Sequence, residues 1–269
     1  MRRTDPVACS IGLLAAANVL NNRIARRWAP LTSAVTTAAL IGLARGEGLS
    51  LRELGIGAED LGSRGRGARL GGALAAGVAA VYTAGVALPR TRPLFLDDRA
   101  LALSHGRLAE EILLQVPVGT VLLEEVAFRG VLPALLTSCG IAGRPLSSPA
   151  AAAASAALFG LWHVLPAIDM ACANPALGRV ASAEPPAAPG TAPRGAVRLV
   201  AGTVVSTAVA GSLFHELCRR GGLIAPSLLH LAMNSLGYVA ARLARRIEER
   251  TDKLSERNER QRGLPPGLA

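Results

Sequence analysis

Long apolar runs separated by short polar or charged segments dominate the pattern along this chain. A transmembrane helix needs roughly 20 mainly apolar residues, with about 17 to 25 tolerated. Seven runs approach or reach this length: residues 7–20, 30–44, 70–88, 108–136, 149–168, 197–217 and 223–243. The first two are short, and the fourth is long enough that it must tilt, kink near Pro117 or begin with an interfacial segment. The pattern predicts an all-α, polytopic membrane helical bundle of about seven, between six and eight, transmembrane helices.

The segments between these runs define the predicted organisation. Residues 45–69 form a charged, glycine-rich loop, and residues 89–107 form a second polar connection. Residues 169–195 are rich in Pro, Ala and Gly and lack the apolar periodicity that folding alone would need. We predict three parts: N-terminal membrane helices and charged loops (1–106), a membrane domain (107–243) that includes the flexible loop 169–195, and a charged C-terminal tail (244–269) that is a charged helix or a disordered end.

Composition agrees with a membrane protein. The 269 residues are 51% hydrophobic and 18% charged, whereas soluble domains carry about 25% charged residues. The mean hydropathy is +0.36 and the sequence pI is about 11. The net charge of +10 does not indicate nucleic acid, because the basic residues flank apolar runs and form no basic face interleaved with aromatic residues. Juxtamembrane arginines that contact anionic headgroups explain the charge, so we expect a lipid bilayer and no nucleic acid as partner.

The distribution of basic residues predicts location and orientation. Eight of them lie from Arg242 onward, at and beyond the end of the last apolar run, which places the C-terminal tail in the cytoplasm by the positive-inside rule. Lys253 is the one lysine in the sequence, and all other positively charged residues are arginines. We attribute this bias to a GC-rich bacterial genome. We therefore expect a multi-pass protein of the bacterial inner (plasma) membrane.

Three clusters of polar or ionisable residues interrupt the apolar runs, where burial costs several kcal/mol unless the group is paired or functional. The clusters are Glu124, Glu125 and Arg129; Phe159 and His163; and His230 and Asn234. Each contains a pair of residues four apart, and such pairs share one face of a helix. Glu125 thus pairs with Arg129, whereas Glu124 is rotated about 100° away and is free of this partner.

The chemistry of these clusters favours hydrolysis. A carboxylate without a local cation, two imidazoles and a carboxamide can activate water and stabilise an oxyanion. Oxygen and nitrogen donors of this kind are also ligands for zinc. The four cysteines lie far apart without a CxxC pair, so we predict no cysteine-based metal site. Each cluster alone could be structural, as an ion pair, a packed histidine or an interhelical amide contact, but three clusters in one chain are difficult to reconcile with packing alone.

In this order, the clusters form the motifs EExxxR, FxxxH and HxxxN. They resemble the CPBP family, the CAAX-prenyl-protease-like or Abi intramembrane proteases, and every motif position is matched. The resemblance extends from about Leu108 to Leu243, roughly half the chain. It implies a bundle of membrane helices around a polar cavity, and peptide-bond hydrolysis within or near the membrane.

The resemblance also implies roles for individual residues. Glu124 and His163 would activate a water molecule, and His230 and Asn234 would bind the developing oxyanion. The supporting residues are Glu125, Arg129 and Phe159. Because the family is usually called a metalloprotease family, a zinc ion is possible, and its ligands would be Glu124, His163 and His230. A metal-free glutamate mechanism uses the same residues, so both mechanisms stay open.

The resemblance leaves several substrates open. Eukaryotic members of the family cut after a prenylated cysteine, whereas bacterial members are linked to bacteriocin-related processing, self-immunity or membrane-protein cleavage. For a bacterial chain we expect a membrane-associated peptide or protein that is not prenylated. The alternative is a membrane transporter or adaptor that uses the buried Glu and His residues as a proton or cation site. The sequence shows neither inverted repeats nor paired broken helices, which favours the protease.

Overall fold

The computed structural model describes residues 5–56, 61–173 and 193–261. Within these ranges the chain is almost entirely helical and contains no β-strand, which confirms the all-α prediction. The helices are α1 (Pro6–Val19), α2 (Ala29–Gly46), α3 (Leu61–Ala87), α4 (Asp98–Leu101), α5 (His105–Glu110), α6 (Leu123–Glu125), α7 (Leu132–Ser138), α8 (Ser148–Trp162), α9 (Val164–Ala173), α10 (Pro193–Gly221) and α11 (Ile224–Gln261).

One continuous helical run, residues 105–138, carries the first motif and is called the motif helix below. It joins α5, α6 and α7 through two segments of wider π turns, Glu111–Leu122 and Val126–Val131. Pro117 lies inside the first of these segments. Proline has no backbone N–H, and local π turns are one way in which a membrane helix adjusts to this loss. The motif helix therefore continues past Pro117.

Four helical segments are long and apolar enough to cross a membrane: Pro6–Ile24, Gly65–Ala87, Ser148–Ala173 and Ala196–Gly221. Between 11% and 33% of each segment's apolar window is buried inside the chain, as expected where lipid rather than protein covers much of a helix. The remaining predicted spans contain Thr and Ser, in α2, or ionisable side chains, in the motif helix and α11. Seven transmembrane helices thus stay a prediction, of which four are supported by length and composition.

Several predicted boundaries were wrong. α3 begins at Leu61, so the second part of the predicted loop 45–69 is helical. The helical path after His163 continues to Ala173, which removes the first residues from the predicted loop 169–195, and residues 174–192 lie outside the described ranges. The tail is helical as far as Gln261, which is one of the two outcomes predicted for it. Packing explains α3, because contacts with neighbouring helices outweigh the low helix propensity of glycine.

Two buried apolar clusters surround the first motif, and apolar residues of the motif belong to the larger one. The larger combines side chains from α1, α2, the motif helix and α8, including Leu14, Leu40, Leu123 and Phe159. The second combines α10 and α11, with α3 packed against it, and includes Phe214 and Leu229. The motif helix, α8, α10 and α11 therefore meet where the two clusters adjoin.

Close contact between α3 and α11 depends on a single missing side chain. A Cβ atom at Gly71 would lie 2.7 Å from the Ala225 carbonyl oxygen and 2.9 Å from Leu228 Cβ. At the next position, Gly72, a Cβ atom would meet nothing within 4 Å. The backbone of α3 can therefore approach α11 only on the face that carries Gly71.

The two glycines form a matched test of this packing. Gly71→Ala is expected to lower the free energy of unfolding by about 1–3 kcal/mol, the usual cost of overpacking. Gly72→Ala should leave stability unchanged or raise it slightly, because alanine favours helix. Thermal unfolding of both purified variants in detergent measures the difference. Equal melting temperatures would contradict the close packing of α3 on α11.

Candidate active site

Residues from three separate helical regions meet in one polar centre. Glu124 lies on the motif helix, His163 at the junction of α8 and α9, and His230 on α11. Glu124 Oε2 is 3.8 Å from His163 Nε2 and 3.6 Å from His230 Nε2. Glu124 and His230 are buried, whereas the His163 side chain is partly exposed. The structure thus brings one residue of each motif within reach of a single small molecule.

The second nitrogen of each imidazole fixes its tautomer. His163 Nδ1 is 2.8 Å from the Phe159 carbonyl oxygen, and because a carbonyl can only accept, Nδ1 is the donor. His230 Nδ1 is 2.6 Å from Glu125 Oε1, and it donates to this carboxylate. In the neutral rings, both Nε2 atoms then present lone pairs toward Glu124 Oε2. Three acceptors converge, an arrangement that suits a hydrogen-bond donor such as water.

Trp162 distinguishes the two oxygens of Glu124. Its indole Nε1 donates a hydrogen bond of 2.8 Å to Glu124 Oε1. Glu124 Oε2 is buried and has no hydrogen-bond partner among the described residues. Sequence reasoning missed Trp162, although a tryptophan beside the motif histidine was a usable signal, since a buried indole N–H normally needs an acceptor. One oxygen of Glu124 is therefore held, and the other faces the histidines.

The predicted pair of Glu125 and Arg129 is present. Arg129 Nε lies 3.3 Å from Glu125 Oε2, and both side chains are almost completely buried. The Arg129 guanidinium carbon lies 3.9 Å from the ring centre of Phe159 and 4.8 Å from that of Phe214. Such cation–π contacts are strongest when desolvated. Phe159 thus supports the cation, and Phe214 shares this position although no motif spacing in the sequence indicated it.

Asn234 is placed apart from this contact network. It lies one helical turn after His230 and is partly buried. Its amide forms no hydrogen bond with another residue in the described ranges. The structure therefore links Glu124, Glu125, His163 and His230 through contacts between their side chains. Asn234 lies one helical turn beyond His230 and does not take part in these contacts.

The donor atoms suit zinc in type but not in arrangement. Two imidazole nitrogens and one carboxylate are ligands of known catalytic zinc sites. However, no group of three or more His, Cys, Asp or Glu side chains in the described part of the chain is arranged to hold a metal ion. Zinc bound by Glu124, His163 and His230 stays a prediction.

Residues 111–236 match the protein family described as type II CAAX prenyl endopeptidase, Rce1-like. The matched segment contains all three motifs and excludes α1–α5 and the charged tail. It confirms the resemblance to CAAX-protease-like proteins that the motifs carry. No curated protein and no solved structure matches the chain.

The buried ion pair predicts the consequence of removing one charge. Glu125→Gln should lower the free energy of unfolding by about 3–5 kcal/mol, because it leaves the Arg129 charge buried without a counter-charge. The matched control is Glu216→Gln, since Glu216 forms ion pairs with Arg219 and Arg220 at the surface. Such exposed pairs contribute about 0–1 kcal/mol. Thermal unfolding in detergent compares the two, and similar losses would contradict the structural role of the buried pair.

Proposed function

We propose that this chain, whose residues 111–236 match the type II CAAX prenyl endopeptidase Rce1-like family, is an intramembrane endopeptidase. Its substrate is a membrane-associated protein or peptide. The observation that carries the proposal is the position of Glu124 Oε2, which lies 3.8 Å and 3.6 Å from the Nε2 atoms of two histidines on other helices. The transporter or adaptor alternative has no support from the family match.

Glu124 is the general base in this proposal. A water molecule at Glu124 Oε2 gives a proton to the carboxylate, while His163 Nε2 accepts its second hydrogen bond and orients it. The water oxygen then forms a bond with the carbonyl carbon of the substrate. Glu124 passes the proton to the leaving amine as the peptide bond breaks, so the products are a carboxylic acid and an amine. The hydrogen bond from Trp162 to Oε1 keeps Oε2 as the reacting oxygen.

His230 and Asn234 stabilise the oxyanion in this mechanism. Asn234 can donate from its amide to the developing charge. His230 can donate from Nε2 when both ring nitrogens carry a proton, and the Glu125 carboxylate 2.6 Å from its Nδ1 holds the ring in place. Glu125 therefore acts through His230 as well as through Arg129, so its two oxygens serve two partners.

Whether the substrate carries a prenyl group can be tested by comparing prenylated and unmodified peptides. The family description names CAAX prenyl substrates, whereas the expected bacterial origin argues for an unmodified peptide. A synthetic CAAX peptide prepared with and without a prenyl group, added to the protein in detergent or vesicles, tests both. Cleavage of only one member of the pair assigns the substrate class.

Loss of Glu124 provides the main test of the function. In membranes from a strain that carries Glu124→Ala, a precursor that the wild type cleaves is expected to accumulate, as quantified by proteomics. Glu124→Gln should lower kcat by about 10²–10⁴-fold, which is the usual contribution of a general base. Its melting temperature should remain close to that of the wild type, because the Gln amide oxygen can still accept from Trp162 and the pair of Glu125 and Arg129 is unchanged.

Glu110→Gln is the matched control, because Glu110 lies on the motif helix but pairs with Arg107 at the surface. It should retain wild-type kcat. Retained activity in Glu124→Gln would end the role of Glu124. An altered ion gradient with unchanged cleavage products would instead indicate transport.

Metal removal separates the two mechanisms that use these residues. We expect full peptidase activity after treatment with a chelator, with far less than one metal ion per chain, because a positioned carboxylate such as Glu124 can activate water without a metal. Elemental analysis of the same active preparation provides the metal content. Loss of activity on chelation, restored by adding zinc, would contradict this expectation and favour the zinc mechanism.

A further inference from the structure

The helical path breaks immediately before the second half of the α8–α9 span. α8 ends at Trp162, and α9 begins at Val164 after His163. In a continuous helix, the Trp162 carbonyl would accept a hydrogen bond from the N–H four residues later. That position is Pro166, which has no N–H. Proline therefore removes the intrahelical donor for the Trp162 carbonyl, inside a segment apolar enough to span the membrane.

A side chain from the first helix supplies the missing donor. Asn18, in α1, is buried, and its Nδ2 donates a hydrogen bond of 2.8 Å to the Trp162 carbonyl oxygen. Unpaired backbone carbonyls are costly at bilayer depth, and neighbouring helices can satisfy those that proline frees. The contact joins residues 144 positions apart, so α1 and α8 must lie together for it to form.

A second contact between the same chain regions lies beyond the break. Arg23 and Arg26, which follow α1, contact Asp169 on α9 at 3.0 Å and 2.8 Å. The N-terminal region therefore contacts the span on both sides of His163. Asn18 binds the Trp162 carbonyl before it, and Arg23 and Arg26 bind Asp169 after it. Asn18, Arg23 and Arg26 lie outside the segment 111–236 that the family match covers, whereas Asp169 lies within it.

The helix break at His163 sets the positions of two side chains that contact Glu124. The Trp162 indole donates to Glu124 Oε1 at 2.8 Å, and His163 Nε2 lies 3.8 Å from Glu124 Oε2. Both side chains belong to consecutive residues whose backbone direction is set at the break. A rotation of the Trp162 peptide would move the indole and the imidazole together relative to the carboxylate.

We propose that Asn18 is a positioning residue of the active site. By donating to the Trp162 carbonyl, it replaces the N–H that Pro166 lacks and holds Trp162 and His163 in register with Glu124. The N-terminal helix α1 is therefore part of the catalytic machinery. The kinetic readout of this inference rests on the proposed peptidase function, whereas its structural readout does not.

A double-mutant cycle between Asn18 and Pro166 separates positioning from simple helix contact. Asn18→Leu removes the donor and should lower kcat about tenfold, with KM within about twofold, the range expected when a buried acceptor is left unpaired. Pro166→Ala returns a backbone N–H at the required spacing. In the Pro166→Ala background, Asn18→Leu should therefore change kcat by less than about twofold, even if Pro166→Ala alone has an effect.

Asn21→Leu is the matched control, because Asn21 donates to Ser33 of α2 and not to α8. The substitution removes a hydrogen bond between α2 and the segment that follows α1. Because this bond does not reach α8, kcat should stay at the wild-type value. An Asn18→Leu effect of equal size in both Pro166 backgrounds, or no effect in the wild-type background, would overturn the proposal.

The indole N–H resonance of Trp162 gives a readout that does not require peptidase activity. The chain has two tryptophans, and Trp28→Phe identifies the second signal in ¹⁵N-labelled protein. Asn18→Leu should shift the Trp162 resonance, and adding Pro166→Ala should return it toward its original position. An unmoved resonance would overturn the positioning role. A shifted resonance in a protein that cleaves no peptide would retain it and reject the proposed function.

Discussion

The arrangement of the central helices depends on the two interactions that the buried carboxylate of Glu125 makes. Its Oε2 faces Arg129 Nε at 3.3 Å, and its Oε1 accepts from His230 Nδ1 at 2.6 Å. A charged group that is buried away from water is costly unless it is paired. The motif helix supplies its own cation, but α11 must approach closely enough to bring His230, and α8 and α10 must bring aromatic rings to Arg129.

This arrangement explains why two adjacent glutamates differ in chemistry. Glu125 has one oxygen facing Arg129 and the other accepting from His230, and it holds the His230 ring with Nε2 toward Glu124. Glu124 has one oxygen held by an indole and one directed at two imidazoles. A carboxylate constrained at one oxygen and open at the other is suited to accept a proton from a positioned water. Glu125 thus orients His230, whose Nε2 lies beside Glu124.

Local spacing predicted the parts of this site that lie within one helix. The four-residue interval identified Glu125 with Arg129, and the cost of isolated charges in apolar runs identified the three motifs. Trp162 and Phe214 escaped prediction because each sits in an apolar run, where aromatic residues usually only pack, and because their partners are distant in the sequence. The start of α3 was missed for a related reason. Its glycine-rich composition resembles a loop until the approach of α10 and α11 makes small residues favourable.

The predicted division between an N-terminal region and a membrane domain follows the sequence pattern, but the packing of the helices does not show it. Val7, Leu14 and Ala17 of α1 belong to the same buried cluster as Phe159 and Trp162 of α8, so no apolar boundary separates them. The proline that breaks the span before α9 also makes this continuity necessary, because a freed carbonyl in an apolar setting needs a donor from a neighbouring helix. A helix break that presents a histidine to the site thus imposes a requirement on a distant segment, and α1 meets it with one asparagine.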